Sequence, residues 1–385
     1  MASSQYDVIV IYGGRSPEHE VSCRSAKFVA RTVQSLGHRL HLVGIHQNGT
    51  WYLQDVEKAL IAPGRELPIT EEKSVTNLLR DGADHPVAQV LLRICRSKKN
   101  PLDHPIVVFP VIHGIGGEDG SLQGILDYGE IPYVGPDLLG SAIGMDKVIS
   151  KKLVEAAGIK VVPSMVLLKG SNPQNLEEDA GFQDFMERYG FPLFVKPARL
   201  GSSVGVSRAL NKRELLEGCR KALQYDDKIL IERAVSAREI EVGVLGHHLI
   251  EASLPGEVIV NADFYSFDAK YVHKTQAKTQ VPAELTVEQT EEVRRLAKRC
   301  FEALTLSGMS RVDFFFDRES QEFLFNEVNT IPGFTEISLF PVMWAQSGLR
   351  SEELVSKLIQ LAINRQDSKA GLSRLRNEPG KSYQQ

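Results

Sequence analysis

A predicted β-hairpin at residues 311–329 constrains this chain more than any other stretch. Two apolar, β-prone runs flank a short charged turn, which is the usual pattern of paired strands. Because side chains alternate along a strand, Arg311 and Asp313 share one face of the first strand, and Glu327 and Asn329 share one face of the second. We therefore expect these four polar groups to converge at one place.

The neighbours of these acids predict that they are buried. Three consecutive phenylalanines follow Asp313, and a Phe-Leu-Phe run precedes Asn326-Glu327. An unpaired carboxylate is costly to bury, so a cation must compensate the acids. Two carboxylates and an amide oxygen are hard ligands of the kind that Mg²⁺ takes when it also holds phosphate. The alternative is a solvated hairpin with surface acids, which the apolar flanks and Arg311 disfavour.

Composition excludes several classes of protein. At 385 residues the chain exceeds one ordinary core, so two or three domains are expected. Its 45 Lys and Arg against 49 Asp and Glu leave a net charge of −4, which predicts no general affinity for nucleic acid or membrane surfaces. Four scattered cysteines suit a reducing cytoplasm. The first residues lack a basic segment, so we expect no signal peptide.

Two apolar strands are predicted to end at the same crevice. Residues 8–12 run into Gly13-Gly14, and residues 106–112 run into His113 and a glycine-rich turn. Ligands of open α/β sheets bind beyond the carboxyl ends of such strands. The acidic segment that starts at Glu18 opens a helix, and its charges could equally serve as helix-dipole partners. The residues alone leave capping and function open there.

Further along the chain, three segments predict parts of a phosphate site. Residues 137–157 are predicted as one helix that carries Lys147 near its middle. Lys196 ends an apolar strand and precedes the glycine-serine loop 201–205, where small residues would let backbone N–H groups approach an anion. An ordinary turn is the alternative for that loop. Residues 256–281 form a long polar, aromatic connection of the kind that serves as a lid.

Several motifs together resemble the D-alanine–D-alanine ligase family of the ATP-grasp superfamily. They are Gly13 to Ser22, His113 to Gly120, Met145-Asp146-Lys147, Gly201 to Gly205, Asp268-Ala269-Lys270-Tyr271 and Asn326 to Leu339. The match keeps the family's order over most of the chain. The resemblance implies a mixed α/β fold, a three-domain ATP-grasp ligase whose N-terminal domain is Rossmann-like. It also implies that ATP phosphorylates the carboxylate of one D-alanine, after which the amine of a second attacks and forms the dipeptide used in peptidoglycan.

The resemblance also implies a role for each matching residue. Catalytic residues would be Glu18, Ser202, Tyr271, Arg311 and the backbone N–H of Gly333, and substrate-binding residues would be His113, Tyr265, Ser338 and Leu339. Nucleotide-binding residues would be Lys147, Lys196, Glu232, Arg233, Val235, Glu239, Lys270 and Asn326. Asp313, Glu327 and Asn329 would hold two Mg²⁺ or Mn²⁺ ions. Arg233 stands where the family often has lysine, which weakens the adenine assignment at that position.

Domain limits and assembly follow from the same resemblance. We expect an N-terminal α/β substrate domain at 1–146, a central ATP-grasp subdomain at 147–238, a C-terminal subdomain at 239–366 with the lid 256–281, and a mobile tail at 367–385. We expect a cytoplasmic homodimer that acts on D-alanine and ATP.

Tyr271 favours D-alanine over D-lactate as second substrate, although His273 lies close by. The remaining alternatives are another ATP-dependent carboxylate–amine ligase and a nucleotide-binding relative without catalysis.

Overall fold

A computed structural model of the protein describes residues 5–75, 104–170, 173–260 and 277–372. Its first sheet is mostly parallel. The elements are β1 Asp7–Gly13, α1 His19–Ser35, β2 Arg39–Ile45, β3 Trp51–Gln54, α2 Val56–Ile61, β4 Ile106–Val111 and α3 Ser121–Tyr128. The strands lie in the order β3-β2-β1-β4, with β1 parallel to both β2 and β4. The carboxyl ends of β1 and β4 are therefore neighbours, as the sequence predicts.

The next segment holds two helices and a small antiparallel sheet. The elements are α4 Leu138–Met145, α5 Lys147–Ala156, β5 Ser164–Leu168, a 3₁₀ turn Pro173–Glu178, α6 Ala180–Tyr189, β6 Leu193–Pro197, β7 Ser207–Ala209, α7 Lys212–Ala222 and β8 Lys228–Arg233. The strand order is β5-β8-β6-β7. One prediction is wrong here, because residues 137–157 are two helices. Asp146 has an extended backbone, with ψ 101°, and its carboxylate caps α5 by accepting from the backbone N–H of Val148 and Ile149.

The third sheet contains the hairpin. The elements are β9 Ala237–Gly246, β10 Ile250–Ala252, β11 Gly256–Val260, β12 Ala277–Gln280, α8 Val287–Ala303, β13 Gly308–Asp317, β14 Phe323–Asn329, α9 Leu339–Gln346 and α10 Ser351–Ala370. The strand order is β12-β11-β9-β13-β14, with β10 beside β9. The predicted loop 256–281 is therefore wrong at both ends, because β11 and β12 pair with each other. Its middle, 261–276, lies outside the described residues.

The hairpin prediction is confirmed in detail. Antiparallel pairing sets Arg311 opposite Asn329 and Asp313 opposite Glu327, and the register shifts directly after Asp313. This irregularity ends the strict alternation of sides at the acidic cluster. Apolar side chains on these strands are buried: Phe314 and Phe325 have no exposed surface. The acids thus stand at the edge of a dry core, as the phenylalanine runs predict.

The last helix joins the C-terminal part of the chain to the first sheet. Leu354 and Leu358 of α10 share a buried cluster with Val8 of β1 and Val33 of α1. Helix α10 ends at Ala370, so the first residues of the predicted tail 367–385 are helical. Residues 373–385 lie outside the described part of the chain. Within the described ranges, every helix is too short or too polar to cross a lipid bilayer.

Candidate functional site

A cavity of about 290 Å³ lies between the second and third sheets. Strands β6 and β8 contribute its lining on one side, and β9, β11 and the hairpin contribute on the other. Nine residues of the predicted site line it: Lys147, Lys196, Ser202, Glu232, Arg233, Val235, Glu239, Asn326 and Glu327. The sequence placed these residues in five separate segments. The fold brings them to one cleft.

Two lysines bring positive charge to this cavity. The Lys196 Nζ lies 2.6 Å from a Glu232 carboxylate oxygen and donates to the Asn326 side-chain oxygen at 3.2 Å. Burial is the largest single influence on Lys196 and favours the neutral amine, but the charge and hydrogen bond of Glu232, together with the charges of Glu327 and Glu239, raise the pKa of Lys196 above its ordinary value. Lys147 Nζ lies 3.2 Å from Glu327 and donates to the Leu200 carbonyl at 2.7 Å. Both lysines line the cavity, where a bound anion would meet them.

Arg311 pairs with an acid of the hairpin and with an acid of the neighbouring strand. Arg311 donates to both oxygens of Asp313, at 2.8 and 2.7 Å, and lies 2.9 Å from Glu241 of β9. The Asn329 side-chain N–H₂ also donates to Asp313, at 2.8 Å. Burial favours a neutral Arg311, but Asp313 and Glu241 raise its pKa well above the usual range. Arg311 is therefore a fixed cation whose orientation two carboxylates determine.

The predicted metal ligands Asp313, Glu327 and Asn329 lie side by side on β13 and β14. Two carboxylates and one amide oxygen match the oxygen donors that Mg²⁺ and Mn²⁺ accept, so the donor chemistry fits these ions. No group of three or more His, Cys, Asp or Glu that could hold a metal is found among the residues that the structure describes. A metal ion held there would take the Asn329 amide oxygen as a ligand beside the two carboxylates.

A long-range contact links the first sheet to the glycine-serine loop. The Ser202 hydroxyl donates to the Glu18 carboxylate, across 184 positions of the chain. Ser202 and Ser203 have φ of 53° and 57°, a left-handed conformation that costs energy in residues other than glycine. The strained loop thus carries a contact between two predicted catalytic residues. Three further predicted residues, Tyr265, Lys270 and Tyr271, lie outside the described part of the chain.

His113 lies at the junction of the first sheet and the segment after β14. Its Nδ1 donates to the Ile331 carbonyl at 2.9 Å, and its Nε2 lies 3.2 Å from the Ser25 hydroxyl. Burial lowers the pKa of His113, and the positive charge of Arg311 acts in the same direction. The imidazole is therefore neutral at physiological pH, and its proton lies on Nδ1, because a carbonyl can only accept.

Gly333, Ser338 and Leu339 lie on the same side of the site, around the start of α9. A Cβ added to Gly333 would lie 3.2 Å from the Ser338 hydroxyl, so a side chain there would crowd that group. The Ser338 hydroxyl accepts from the backbone N–H of Thr335 at 3.0 Å. The Leu339 side chain packs in a small apolar cluster with Met343. Only the backbone of Leu339 is therefore free to serve the predicted role.

Three polar residues near the site were missed by the sequence interpretation. Glu118 accepts from the backbone N–H of Gly114 at 2.8 Å and of Ile331 at 3.0 Å. Glu241 shares Arg311 with Asp313, and Lys151 lies 2.9 Å from Glu232. The sequence does contain a signal for Lys151: this residue follows Lys147 by one helical turn, so the two side chains are neighbours on the helix surface. Glu118 belongs to the His113 motif, but nothing local reveals that its partner follows β14.

The chain is similar to known proteins along most of its length. Family models described as D-ala D-ala ligase N-terminus and C-terminus match residues 7–136 and 153–360. A D-alanine–D-alanine ligase of Oceanobacillus iheyensis is 40% identical over 357 residues, which cover 92% of this chain and 94% of that protein.

Two solved structures are similar as well. The D-alanine-D-alanine ligase from Coxiella burnetii has a TM-score of 0.77 at 31% identity, covering 96% of this chain and 97% of that one. A D-Ala:D-Ser ligase from Enterococcus faecalis has a TM-score of 0.73 at 32% identity, covering 93% and 99%. Both likenesses extend over all three sheets described above.

Proposed function

Because the chain belongs to the D-alanine–D-alanine ligase family of ATP-grasp enzymes, we propose that it joins two D-alanine molecules into D-alanyl-D-alanine for peptidoglycan synthesis. ATP is converted to ADP and phosphate in the reaction, and D-alanyl phosphate is the activated intermediate. The observation that carries this proposal is the Lys147–Glu327 contact of 3.2 Å, which sets a phosphate-type lysine beside the acidic hairpin at one end of the cavity.

We propose that ATP occupies this cavity. Lys147 and Lys196 bind its phosphates, and Glu232, Arg233, Val235 and Glu239 contact adenine and ribose, with Asn326 beside Lys196. The lining of the cavity, which includes both lysines, supports this placement. Lys270, from the segment 261–276, is proposed to approach the γ-phosphate. Phosphoryl transfer needs mainly this positioning and charge neutralisation.

Asp313, Glu327 and Asn329 are proposed to hold two Mg²⁺ or Mn²⁺ ions. Bound there, such ions would supply charge neutralisation for the phosphates during transfer. Arg311 then has a separate task. Its guanidinium, anchored by Glu241 as well as Asp313, would stabilise the oxyanion of the tetrahedral intermediate together with the backbone N–H of Gly333.

The two amino-acid substrates are proposed to lie between the first sheet and the start of α9. Glu18 would accept the ammonium group of the first D-alanine, positioned by its contact with Ser202 and completed by Tyr271 and Tyr265. His113, held in place by its hydrogen bond to the Ile331 carbonyl, would lie near the first carboxylate. Ser338 and the backbone of Leu339 would hold the carboxylate of the second D-alanine. Burial lowers the pKa of His113, and the charges of Glu18 and Arg311 also act on it, so the imidazole lies near both of these proposed catalytic groups, which supports this arrangement.

We propose three domains, at 1–146, 147–238 and from 239 to the end of α10, with a lid centred on 261–276. The three separate sheets support this division, although β9 begins at Ala237, just before the proposed boundary. We also propose a cytoplasmic homodimer, which the absence of a membrane-spanning helix among the described residues is compatible with.

One experiment tests the proposed activity. Purified protein with Mg²⁺ and ATP should release phosphate only when D-alanine is added, and mass detection should find D-alanyl-D-alanine as product. D-serine and D-lactate, offered beside D-alanine as second substrate, should give less product. Folded protein that binds ATP without turnover would identify a non-catalytic relative, and preferential formation of a D-serine or D-lactate product would identify a different ligase.

A further inference from the structure

A buried lysine behind the cavity shares the carboxylate of Glu232 with Lys196. Lys151 lies on α5, and its side chain is only 4% exposed. Its Nζ is 2.9 Å from one oxygen of Glu232, while the Lys196 Nζ is 2.6 Å from the other oxygen. One anion therefore stands between two cations, with a separate oxygen for each.

The three charges depend on one another, because all are removed from water. Burial opposes ionisation of Glu232, but Lys151 and Lys196 overcome it and hold its pKa at about 2. Burial also lowers the pKa of Lys151, and Lys196 adds to this effect. Removing one partner from a buried ion pair is strongly destabilising, since it leaves a charge without compensation.

The two lysines differ in what they can reach. Lys196 and Glu232 belong to the described residues that line the cavity, whereas Lys151 does not. Lys151 instead faces inward, where its Nζ also lies 3.5 Å from the Phe325 carbonyl. A ligand in the cavity can therefore draw Lys196 away from Glu232, but it cannot contact Lys151.

We propose that Lys151 is a positioning residue for nucleotide binding: it keeps Glu232 neutralised when Lys196 turns from Glu232 to a nucleotide phosphate. Without Lys151, Lys196 is the one cation among the described residues that stays paired with Glu232, so Lys196 has to remain beside that carboxylate. The proposal rests on the proposed placement of ATP in this cavity. It predicts that loss of Lys151 weakens the binding of phosphates far more than the binding of the nucleoside.

The test compares ADP and adenosine, each with Mg²⁺, by calorimetry on the full chain. Lys151→Met should lower the ratio of ADP to adenosine affinity about tenfold, and Lys151→Arg should restore most of it, because arginine keeps the charge. Lys152→Met is the matched control, since the next residue on α5 is exposed and should leave the ratio unchanged. If Lys151→Met does not fold, Lys151→Gln should give the same loss, because it keeps a donor without a charge.

A second comparison shows whether Lys151 acts through Glu232. In a Glu232→Gln background there is no carboxylate to neutralise, so adding Lys151→Met should change the ratio by less than about twofold. A further loss in that background would mean that Lys151 acts on the phosphate directly, and would overturn the proposal. An unchanged ratio in folded Lys151→Met would also overturn it and leave only a packing role. Failure of the unaltered protein to bind either ligand would instead refute the proposed ATP site, and this inference with it.

Discussion

Glu118 should make the stability of the protein depend on pH in a direction opposite to that of most carboxyl groups. Burial, with the nearby charge of Glu18, raises the pKa of Glu118 from 4.5 to about 8, despite hydrogen bonds from Gly114 and Ile331. The folded state therefore holds this proton more tightly than the unfolded state. The resulting stabilisation is complete below pH 4.5 and is lost as the pH rises towards 8.

The size of the effect follows from linkage. One proton held only by the folded state changes the free energy of unfolding by about 1.4 kcal/mol per pH unit, so Glu118 should contribute about 2 to 3 kcal/mol between pH 5.5 and 7.5. Glu118→Gln removes this titration. It also replaces one accepting oxygen with an N–H₂ group, which should cost about 1 kcal/mol at low pH. Glutamine should thus be the less stable form at pH 5.5, and the difference should close or reverse by pH 7.5.

Urea unfolding of both proteins at several pH values measures this difference directly, because the other titrating groups are common to the two. The free energy of the original protein minus that of Glu118→Gln should fall steadily with rising pH. A difference that stays constant, or one that grows with pH, would refute the reasoning. In that case Glu118 would be ionised in the folded protein throughout the range.

Three further changes test the hairpin and its surroundings. Glu327→Gln should weaken Mn²⁺ binding at least tenfold in the presence of ADP, as followed by electron paramagnetic resonance. Glu322→Gln, in the turn of the same hairpin, should leave Mn²⁺ binding unchanged. Equal effects of the two changes would remove Glu327 from the proposed ligand set. Phe325→Ala deletes a fully buried ring and should lower the free energy of unfolding by about 3 to 5 kcal/mol in urea titrations, and a loss below 1 kcal/mol would contradict its place in the core. Thr286→Ala removes the capping box of α8 and should cost about 1 kcal/mol, whereas Thr286→Ser should cost little if the hydroxyl is what matters.

The elements that the sequence predicts well are those whose pattern is local. The hairpin and the strands that lead into Gly13-Gly14 and His113 follow from alternation, apolar runs or turn chemistry over a few residues. The two errors have different causes. The pattern predicts one helix through Asp146, but the Asp146 carboxylate starts a second helix by capping it locally. It also predicts a loop over β11 and β12, because their pairing with each other is not contained in the local sequence.

The candidate site shows the same division: local sequence predicts some of its residues, and only the fold decides how they are paired. Residue types and spacing, with the family resemblance, identified the lysines and the acids of the hairpin. They did not reveal Lys151 against Glu232, or Glu241 against Arg311, because each pair joins segments 70 or more positions apart. The roles of all the predicted site residues stay predictions, including those of Tyr265, Lys270 and Tyr271.

By itself, the sequence determined that Asp313 and Glu327 would lie together at the edge of an apolar hairpin, since strand periodicity fixes which side chains share a face. Only the tertiary structure decided what neutralises them. Arg311 lies on the same strand as Asp313, but local sequence does not say which acids it contacts. Because β9 lies beside β13, Arg311 contacts Glu241 in addition to Asp313. The same holds for Glu118, whose partner Ile331 lies 213 positions away. The charge state of a buried group depends on every element packed around it, and local sequence does not contain that information.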